Sequence, residues 1–259
     1  MASTFFGLHI GSSALSSFQV ATNTTANNIA NVKTTGYTRQ EATLQAKDAI
    51  NVTARYGSVG TGVTVTSIKQ QRDLYYDNKY WENNSCYGRY EQKLYYMEQI
   101  QNYFKDNGSS VKGFSSVFSQ MFSDLDTLRS KPSDKTVRNQ FISSAQSLCT
   151  YFNQMSDNLS KLQDDCNEEI RNNVDKINSI SEKISLLNKE INQIETGTGV
   201  EAGSLRDERA NLIDSLSKIV NVSYNETEVQ NTNGDNLGGT NFSLYINGCL
   251  LYTSPSPRD

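Results

Sequence analysis

The sequence predicts a mainly α fold: an elongated bundle of long coiled-coil-like helices, with a small β-hairpin near the N-terminus and the start of a β-domain after the helices. The longest predicted helix covers residues 135–194. Its apolar side chains recur about every 3.5 residues, the coiled-coil repeat. A helix of about 60 residues reaches ~90 Å, so it must lie against other helices. The hydrophobic share of 36% is low for one compact globule, which indicates a thin core.

The first predicted element is an amphipathic helix from Thr4 to Ile29. Its apolar side chains recur at three- or four-residue spacing, the helical period. The flanks carry Ser, Thr and Asn rather than Lys and Glu, so few ion pairs would stabilise the helix alone in water. We therefore expect it to need a partner in order to fold. The stripe consists of Phe5, Leu8, Leu15, Phe18 and Ile29 with the small Ala14, Ala21 and Ala26.

A distinctive motif, NNIANVKTTGYTRQ, covers Asn27–Gln40 at the end of this helix. Its first residues are rich in Asn, which is favoured for local backbone hydrogen bonds and tolerates left-handed geometry. Gly36 suits a turn with positive φ. From Tyr37 to Leu44 the polarity alternates as in a strand.

This motif resembles the N-terminal signature of the bacterial flagellar rod, hook and hook-associated proteins. The Arg39-Gln40 ending and the long helices that follow fit a hook-associated member best. The resemblance implies a structural subunit at the hook–filament junction, which couples hook to filament and whose terminal helices line the inside of a hollow filament.

The resemblance also implies partners and a location. The partners would be further copies of this chain in a ring or helical assembly, the flagellar hook protein, a second hook–filament junction protein and the flagellar export apparatus. The location would be the extracellular flagellum, reached by flagellar type III export. The implied assembly interface consists of Phe5, Leu8, Leu15, Phe18, Asn27, Asn28, Ile29, Ala30, Asn31, Thr35, Gly36, Tyr37 and Arg39.

Between the motif and the longest helix, the pattern predicts a hairpin and two helices. The helices would be separated by Asp106-Asn107-Gly108, and Ser133 or Asp134 would cap the longest helix. The predicted strands are Tyr37–Ala46 and Gly62–Lys69, and the predicted helices are Arg72–Phe104 and Val111–Leu128.

Glycines at 197 and 199 break the longest helix, and no Gly-Lys-Ser/Thr follows that would make a phosphate loop. A short helix, Leu205–Leu216, comes next and resembles a Leu-x-Asp-x-Arg segment of hook-associated proteins. We expect its charged residues to be solvated or to contact another subunit; they are Arg206, Asp207, Glu208 and Arg209. Strands are then predicted at Ile219–Tyr224 and Phe242–Ile246, around a turn at Asn231–Gly239.

The predicted organisation has four parts: residues 1–36, the filament-lining helix and signature; 37–218, an elongated helical middle domain with the hairpin; 219–249, the start of an outer β-domain; and 250–259, a non-native tail ending in SPSPRD. In the resembled family the chain returns from the outer domain to end in a second filament-lining helix. We therefore expect the C-terminal half to be missing.

Composition argues against other classes of function. A net charge of −4, with both signs interspersed, predicts neither nucleic acid nor membrane as partner. No run approaches the ~18 apolar residues of a membrane span, and no secretory signal is recognisable. His9 is the only histidine and the four cysteines form no CxxC pair, so we expect no enzyme, cofactor or metal site. Cys149 and Cys166 fall on the apolar stripe of the longest helix, where small core residues are expected.

Two alternatives remain open. One is another flagellar axial protein, a hook or distal rod protein, which the long helix disfavours because a β-rich chain would be expected soon after the signature. The other is a non-flagellar coiled-coil scaffold, which would account for the helices but not for the motif at Asn27–Gln40.

Overall fold

A computed structural model describes residues 5–51, 57–106, 113–230, 234 and 236–253. The predicted mainly α class is confirmed. The chain divides into two compact units, residues 1–86 with 177–259 and residues 87–176. This division cuts across the predicted domain boundaries, which stay predictions. The helices are α1 Phe6–Ala30, α2 Leu74–Tyr103, α3 Phe114–Ser130, α4 Lys135–Glu195 and α5 Gly203–Ser217.

The described strands form small antiparallel sheets. They are β1 Gln40–Ala46, β2 Ile50–Asn51, β3 Ser58–Val59, β4 Val63–Gln70, β5 Val222–Gln230, β6 Asn236–Ile246 and β7 Cys249–Thr253. The predicted hairpin is confirmed as β1 paired with β4, Gln40 opposite Gln70 and Ala46 opposite Val63. The two-residue pair β2–β3 was not predicted from the sequence. Strand β7 was not predicted either; it pairs with β6 on the side opposite β5.

The helix boundaries follow the expected stop signals. Gly197 and Gly199 end α4 with φ of +81° and +67°, the left-handed region that glycine tolerates. At the other end of α4, the Asp134 Oδ1 accepts the Thr136 amide at 2.8 Å, as predicted for a capping residue. The proposed stop at Asp106-Asn107-Gly108 falls partly outside the described residues, as does the predicted turn at Asn231–Gly239.

One hydrophobic core organises the unit built from residues 1–86 and 177–259. It brings together α2, α4, α5 and the β5–β6 pair. Trp81 is 1% exposed, and its indole Nε1 donates to the Asp214 Oδ1 at 2.6 Å. The buried members of this core are Trp81, Ile180, Ile184, Ile213, Leu216, Val222, Phe242 and Leu244.

In the unit of residues 87–176, aromatic side chains connect α3 with α4. The Phe114 ring stacks on Phe118 with centroids 5.1 Å apart and lies 5.9 Å from Phe152. The α2 segment of this unit is tied to α4 by the Tyr96 hydroxyl, which donates to Glu169. This hydrogen bond to a carboxylate, with a smaller contribution from burial, raises the pKa of Tyr96.

The cysteine prediction is wrong at one position. Cys149 is exposed and Cys166 is half-buried. The half-buried Leu148 lies on the covered side of α4, and Cys149, the next residue, is rotated ~100° round the helix from it.

Candidate assembly surface

Helix α1 has one face covered by its own chain. It packs on β1 and β4, and the residues fully buried there are polar, Ser17 and Thr24. The Ser17 hydroxyl donates to the Val63 carbonyl at 3.2 Å. Small residues allow this close approach, since a Cβ added at Gly62 would lie 2.2 Å from the Ser13 Oγ. The hairpin therefore covers the small, polar side of α1.

Four large apolar side chains of α1, Leu8, Leu15, Phe18 and Ile29, are exposed, whereas Phe6, Ile10 and Val20 are half-buried. Leu8, Leu15 and Ile29 are 70%, 71% and 69% exposed, and they occupy positions separated by multiples of seven. Phe18 lies three residues after Leu15 on the same side of α1, and the exposed Val32 follows two residues after the end of the helix. A seven-residue recurrence with an apolar residue three positions on is the spacing of a coiled-coil seam. We call Leu8, Leu15, Phe18, Ile29 and Val32 the α1 stripe.

The predicted stripe was partly wrong. Ala14 and Ala21 are half-buried on the face that meets the hairpin, whereas Phe5 is exposed like the α1 stripe. Val32, which is 76% exposed, was not part of the predicted stripe. It lies beyond the end of α1, where the helical period no longer applies.

The motif at the end of α1 is held together by its own side chains. The Asn28 Nδ2 donates to the Gln40 carbonyl at 2.8 Å, while its Oδ1 accepts the Gln40 amide at 3.0 Å and the Tyr37 hydroxyl at 2.8 Å. The Asn31 Nδ2 donates to the Asn27 Oδ1 at 2.9 Å. These bonds fix the reversal from α1 into β1, which begins at Gln40 because Tyr37 is engaged in the turn.

Gly36 is required at the centre of this reversal for two reasons. Its φ is +77°, and a Cβ there would lie 1.8 Å from the Oδ1 of Asn211 in α5. Any side chain would thus be strained by this φ and would force the Asn211 side chain out of its position.

The thirteen predicted interface residues therefore divide into two groups. Phe5, Leu8, Leu15, Phe18 and Ile29 are exposed apolar residues of α1, and Ala30, Thr35, Arg39 and Asn27 are exposed near its end. Asn28, Asn31, Gly36 and Tyr37 are half-buried and stabilise the turn within the chain. The structure does not bring all of them onto one surface, and their part in assembly stays a prediction.

The expectation of a solvated or intersubunit charge cluster on α5 is wrong for three of its four residues. Arg206 donates to both carboxylate oxygens of Glu195 at 2.7 Å, and Arg209 donates to Glu226 at 3.0 Å. The Asp207 Oδ1 accepts the Thr38 amide at 3.2 Å. Only Glu208 of the four is exposed.

Burial and pairing act in opposite directions on these groups. For Arg206, burial would lower the pKa, but the hydrogen bond to Glu195 and the charges of Glu226 and Glu195 raise it above its ordinary value. For Glu226, burial would raise the pKa, yet Arg209 and Arg206 hold it below its ordinary value. Arg209, under the Phe242 ring face at 4.2 Å, has its pKa lowered mainly by burial. The charges stay paired inside one chain.

The described residues contain no group of three or more His, Cys, Asp or Glu side chains that could hold a metal ion. Within the same part of the chain, no helix is both long and apolar enough to cross a membrane. The exposed apolar side chains of α1 form a surface on which another protein helix can pack.

Both the helical region and the N-terminal motif match families of known proteins. The family model described as "Flagellar hook-associated protein FlgK helical domain" matches residues 97–248, more than half of the chain. The chain belongs to the FlgK family of flagellar hook-associated proteins. The model "Flagella basal body rod protein" matches residues 8–38, which include the α1 stripe and most of the motif.

Relatives in the FlgK family agree with this assignment. Flagellar hook-associated protein 1 of Bacillus subtilis is 34% identical over 234 residues, 88% of this chain and 46% of the relative. The protein of the same name from Salmonella typhimurium is 31% identical over 252 residues, 95% of this chain and 42% of the relative. The chain thus spans less than half the length of these relatives.

A solved structure shows the same fold. The flagellar hook junction protein FlgK from Burkholderia pseudomallei superposes with a TM-score of 0.55 at 21% sequence identity. The match covers 67% of this chain and 28% of the solved FlgK chain.

Proposed function

We propose that this chain belongs to a structural, non-catalytic subunit of the hook–filament junction of the bacterial flagellum, which assembles through α1 and couples hook to filament. One observation carries the proposal: α1 buries the polar Ser17 and Thr24 against its own hairpin and leaves Leu8, Leu15, Phe18 and Ile29 in water. Monomeric soluble proteins rarely expose such a row of large apolar side chains.

The free energy available from covering the α1 stripe is large. Full burial of one Leu, Ile or Phe side chain is worth ~1.5–3 kcal/mol, and the stripe contains five large apolar residues, among them Leu8, Leu15 and Phe18. The partner that matches a seven-residue repeat is another helix with the same repeat. The residues from Phe5 to Val32 include no Asp, Glu, Lys or Arg, so this contact does not depend on ion pairs.

The partners and the location follow from family membership as parts of the same proposal. The partners are further copies of this chain, the hook protein, a second junction protein and, during export, the flagellar type III export apparatus. The assembled protein lies in the extracellular flagellum. The match of the FlgK helical domain model at residues 97–248 disfavours a hook or rod protein, and the rod-protein match at residues 8–38 disfavours a non-flagellar scaffold.

The test replaces two residues of the α1 stripe in cells. A strain that lacks the gene is complemented with the Leu15→Ser, Phe18→Ser double variant or with the matched control Gln19→Ser, which changes an exposed neighbour outside the stripe. We expect the double variant to be exported but to leave cells without attached filaments, while the control restores them. Electron microscopy of cells and assay of the medium distinguish these results. Normal filaments with the double variant would refute the proposal.

Deletion of residues 1–35 separates the flagellar proposal from a scaffold. A scaffold would keep its partner because its coiled-coil helices remain. A junction subunit would lose incorporation because α1 and the Asn-rich part of the motif are removed.

A further inference from the structure

Helix α5 touches the motif along one of its faces. The Asp207 carboxylate, 9% exposed as a residue, accepts the Thr38 amide at 3.2 Å and the Gln70 Nε2 at 2.8 Å through the same oxygen, Oδ1. The Gln70 Nε2 also donates to the Gly203 carbonyl at 2.9 Å. One carboxylate thus joins the turn that follows α1 to the last residue of β4.

Two shape contacts flank this carboxylate at intervals of four residues. A Cβ added at Gly203 would lie 2.6 Å from the Gln40 Nε2, and a Cβ added at Gly36 would overlap the Asn211 amide. Gly203, Asp207 and Asn211 therefore lie on one face of α5, since residues four apart are helical neighbours. We call these three residues the α5 docking face.

The other faces of α5 are anchored separately. Arg209 binds Glu226 of β5, and Asp214 accepts the Trp81 indole of α2. Ile213 and Leu216 belong to the hydrophobic core. Loss of a contact on the α5 docking face therefore leaves α5 itself held in place by residues that do not touch the motif.

We propose that the α5 docking face sets the direction in which α1 presents its stripe, with Asp207 as the positioning residue. The consequence for assembly rests on the proposed function, whereas the positioning itself is a property of the single chain. Because the hairpin and α1 are joined through Asn28 and Ser17, they turn together when the motif shifts on α5.

Helix α1 is long enough that a small rotation at the motif displaces its far end appreciably. Helix α1 has 25 residues, so at 1.5 Å per residue a rotation of ~10° at the motif displaces the far end by ~6 Å. Such a sideways displacement is more than half of the ~8–10 Å that separates the axes of packed helices, so it would move Leu8 away from a partner helix.

The first test measures the motif in the isolated chain. Asp207→Ala removes the acceptor, Asp207→Asn keeps an acceptor oxygen, and Glu208→Ala is the matched control on the exposed side of α5. We expect the Thr38 amide of Asp207→Ala to exchange at least tenfold faster, measured by fragment-resolved hydrogen-exchange mass spectrometry, and the rate to return largely to normal in Asp207→Asn. Glu208→Ala should leave it unchanged.

The second test measures the direction of α1. Spin labels are placed at the exposed Ser12 and Ser215 of a chain whose four cysteines are replaced by serine. Double electron–electron resonance should give a narrow distribution of the distance between the two labels in the parent and in Asp207→Asn. The distribution should be broadened or shifted in Asp207→Ala. The emission of Trp81, which reports on the opposite side of α5, should stay the same in all variants.

Two results would overturn the inference. One is an unchanged Thr38 exchange rate and distance distribution in Asp207→Ala. The other is a changed Trp81 emission together with equal broadening in Asp207→Ala and Asp207→Asn, since that would make Asp207 a support of α5 alone. Both readouts are independent of assembly. Failure of the Leu15→Ser, Phe18→Ser experiment in cells would therefore refute the proposed function without touching this inference.

Discussion

The side-chain amide of Asn28 pairs with both backbone polar groups of Gln40, donating to its carbonyl at 2.8 Å and accepting its amide at 3.0 Å. The Asn28 side chain thus forms with Gln40, the first residue of β1, the two hydrogen bonds that a neighbouring strand would form. Its Oδ1 also accepts the Tyr37 hydroxyl. One side chain at the end of α1 thus fixes where β1 begins and satisfies backbone groups that would otherwise lack a partner in the described structure.

Asn28→Ala should loosen this reversal because it removes three hydrogen bonds at once. Leaving partly buried backbone groups unsatisfied costs ~1–3 kcal/mol. We expect a loss in that range in the free energy of unfolding, together with faster exchange of the Gln40 amide. Urea unfolding followed by circular dichroism and hydrogen exchange measure the two effects.

Asn27→Ala is the matched control for this prediction. The hydrogen bonds of the Asn27 side chain are exposed, so water replaces them and the free energy of unfolding should change by less than ~1 kcal/mol. Equal effects of the two substitutions would show that Asn28 holds no special position in the turn.

Gly36→Ala should destabilise the contact between the motif and α5 for two separable reasons, a positive φ and overlap with Asn211. A residue with a Cβ at this φ costs about 1 kcal/mol or more. The double variant Gly36→Ala, Asn211→Ala removes the overlap and keeps the φ strain. Its thermal midpoint should therefore lie between those of Gly36→Ala and the Asn211→Ala parent. A double variant no more stable than Gly36→Ala would show that the overlap has no influence.

The sequence predicted the helices because their apolar periods are long and their boundaries carry clear signals, such as the capping Asp134 at the start of α4 and Gly197 after its end. It also marked the Asn-rich motif as special. The sequence could not show which side of α1 packs on the hairpin. The helical period locates the apolar side chains but does not identify the element that packs against the helix. Arg206 and Arg209 were misjudged because their partners, Glu195 and Glu226, lie 11 and 17 residues away and no local pattern connects them.

Trp81→Ala should destabilise the unit built from residues 1–86 and 177–259 by ~3–5 kcal/mol, the usual cost of removing a buried aromatic side chain. Trp81 is 1% exposed, stacks obliquely on Tyr224 and donates to Asp214. The control is Tyr80→Ala, the adjacent residue of α2, which is 52% exposed and should change stability by less than ~0.5 kcal/mol in the isolated chain. Thermal unfolding by circular dichroism compares them. Similar losses in both would contradict the placement of the core.

Glu226→Gln should weaken folding at neutral pH and lose its effect in acid. Glu226 is paired with Arg206 and Arg209, and breaking a buried pair costs about 3 kcal/mol. Because both arginines hold the pKa of Glu226 below its ordinary value of 4.5, its stabilising contribution is full above pH 4.5 and is lost as pH falls through the lower folded value.

The comparison of parent and variant isolates Glu226 from the other buried carboxyl groups. Burial raises the pKa values of Glu201 and Asp214, so these groups favour folding in acid, but both are present in the two proteins and cancel in the difference between their free energies of unfolding. Urea unfolding of parent and variant from pH 7 to pH 3 should therefore give a gap that narrows below pH 4.5. A gap of constant size would mean that the charge of Glu226 contributes nothing to the network.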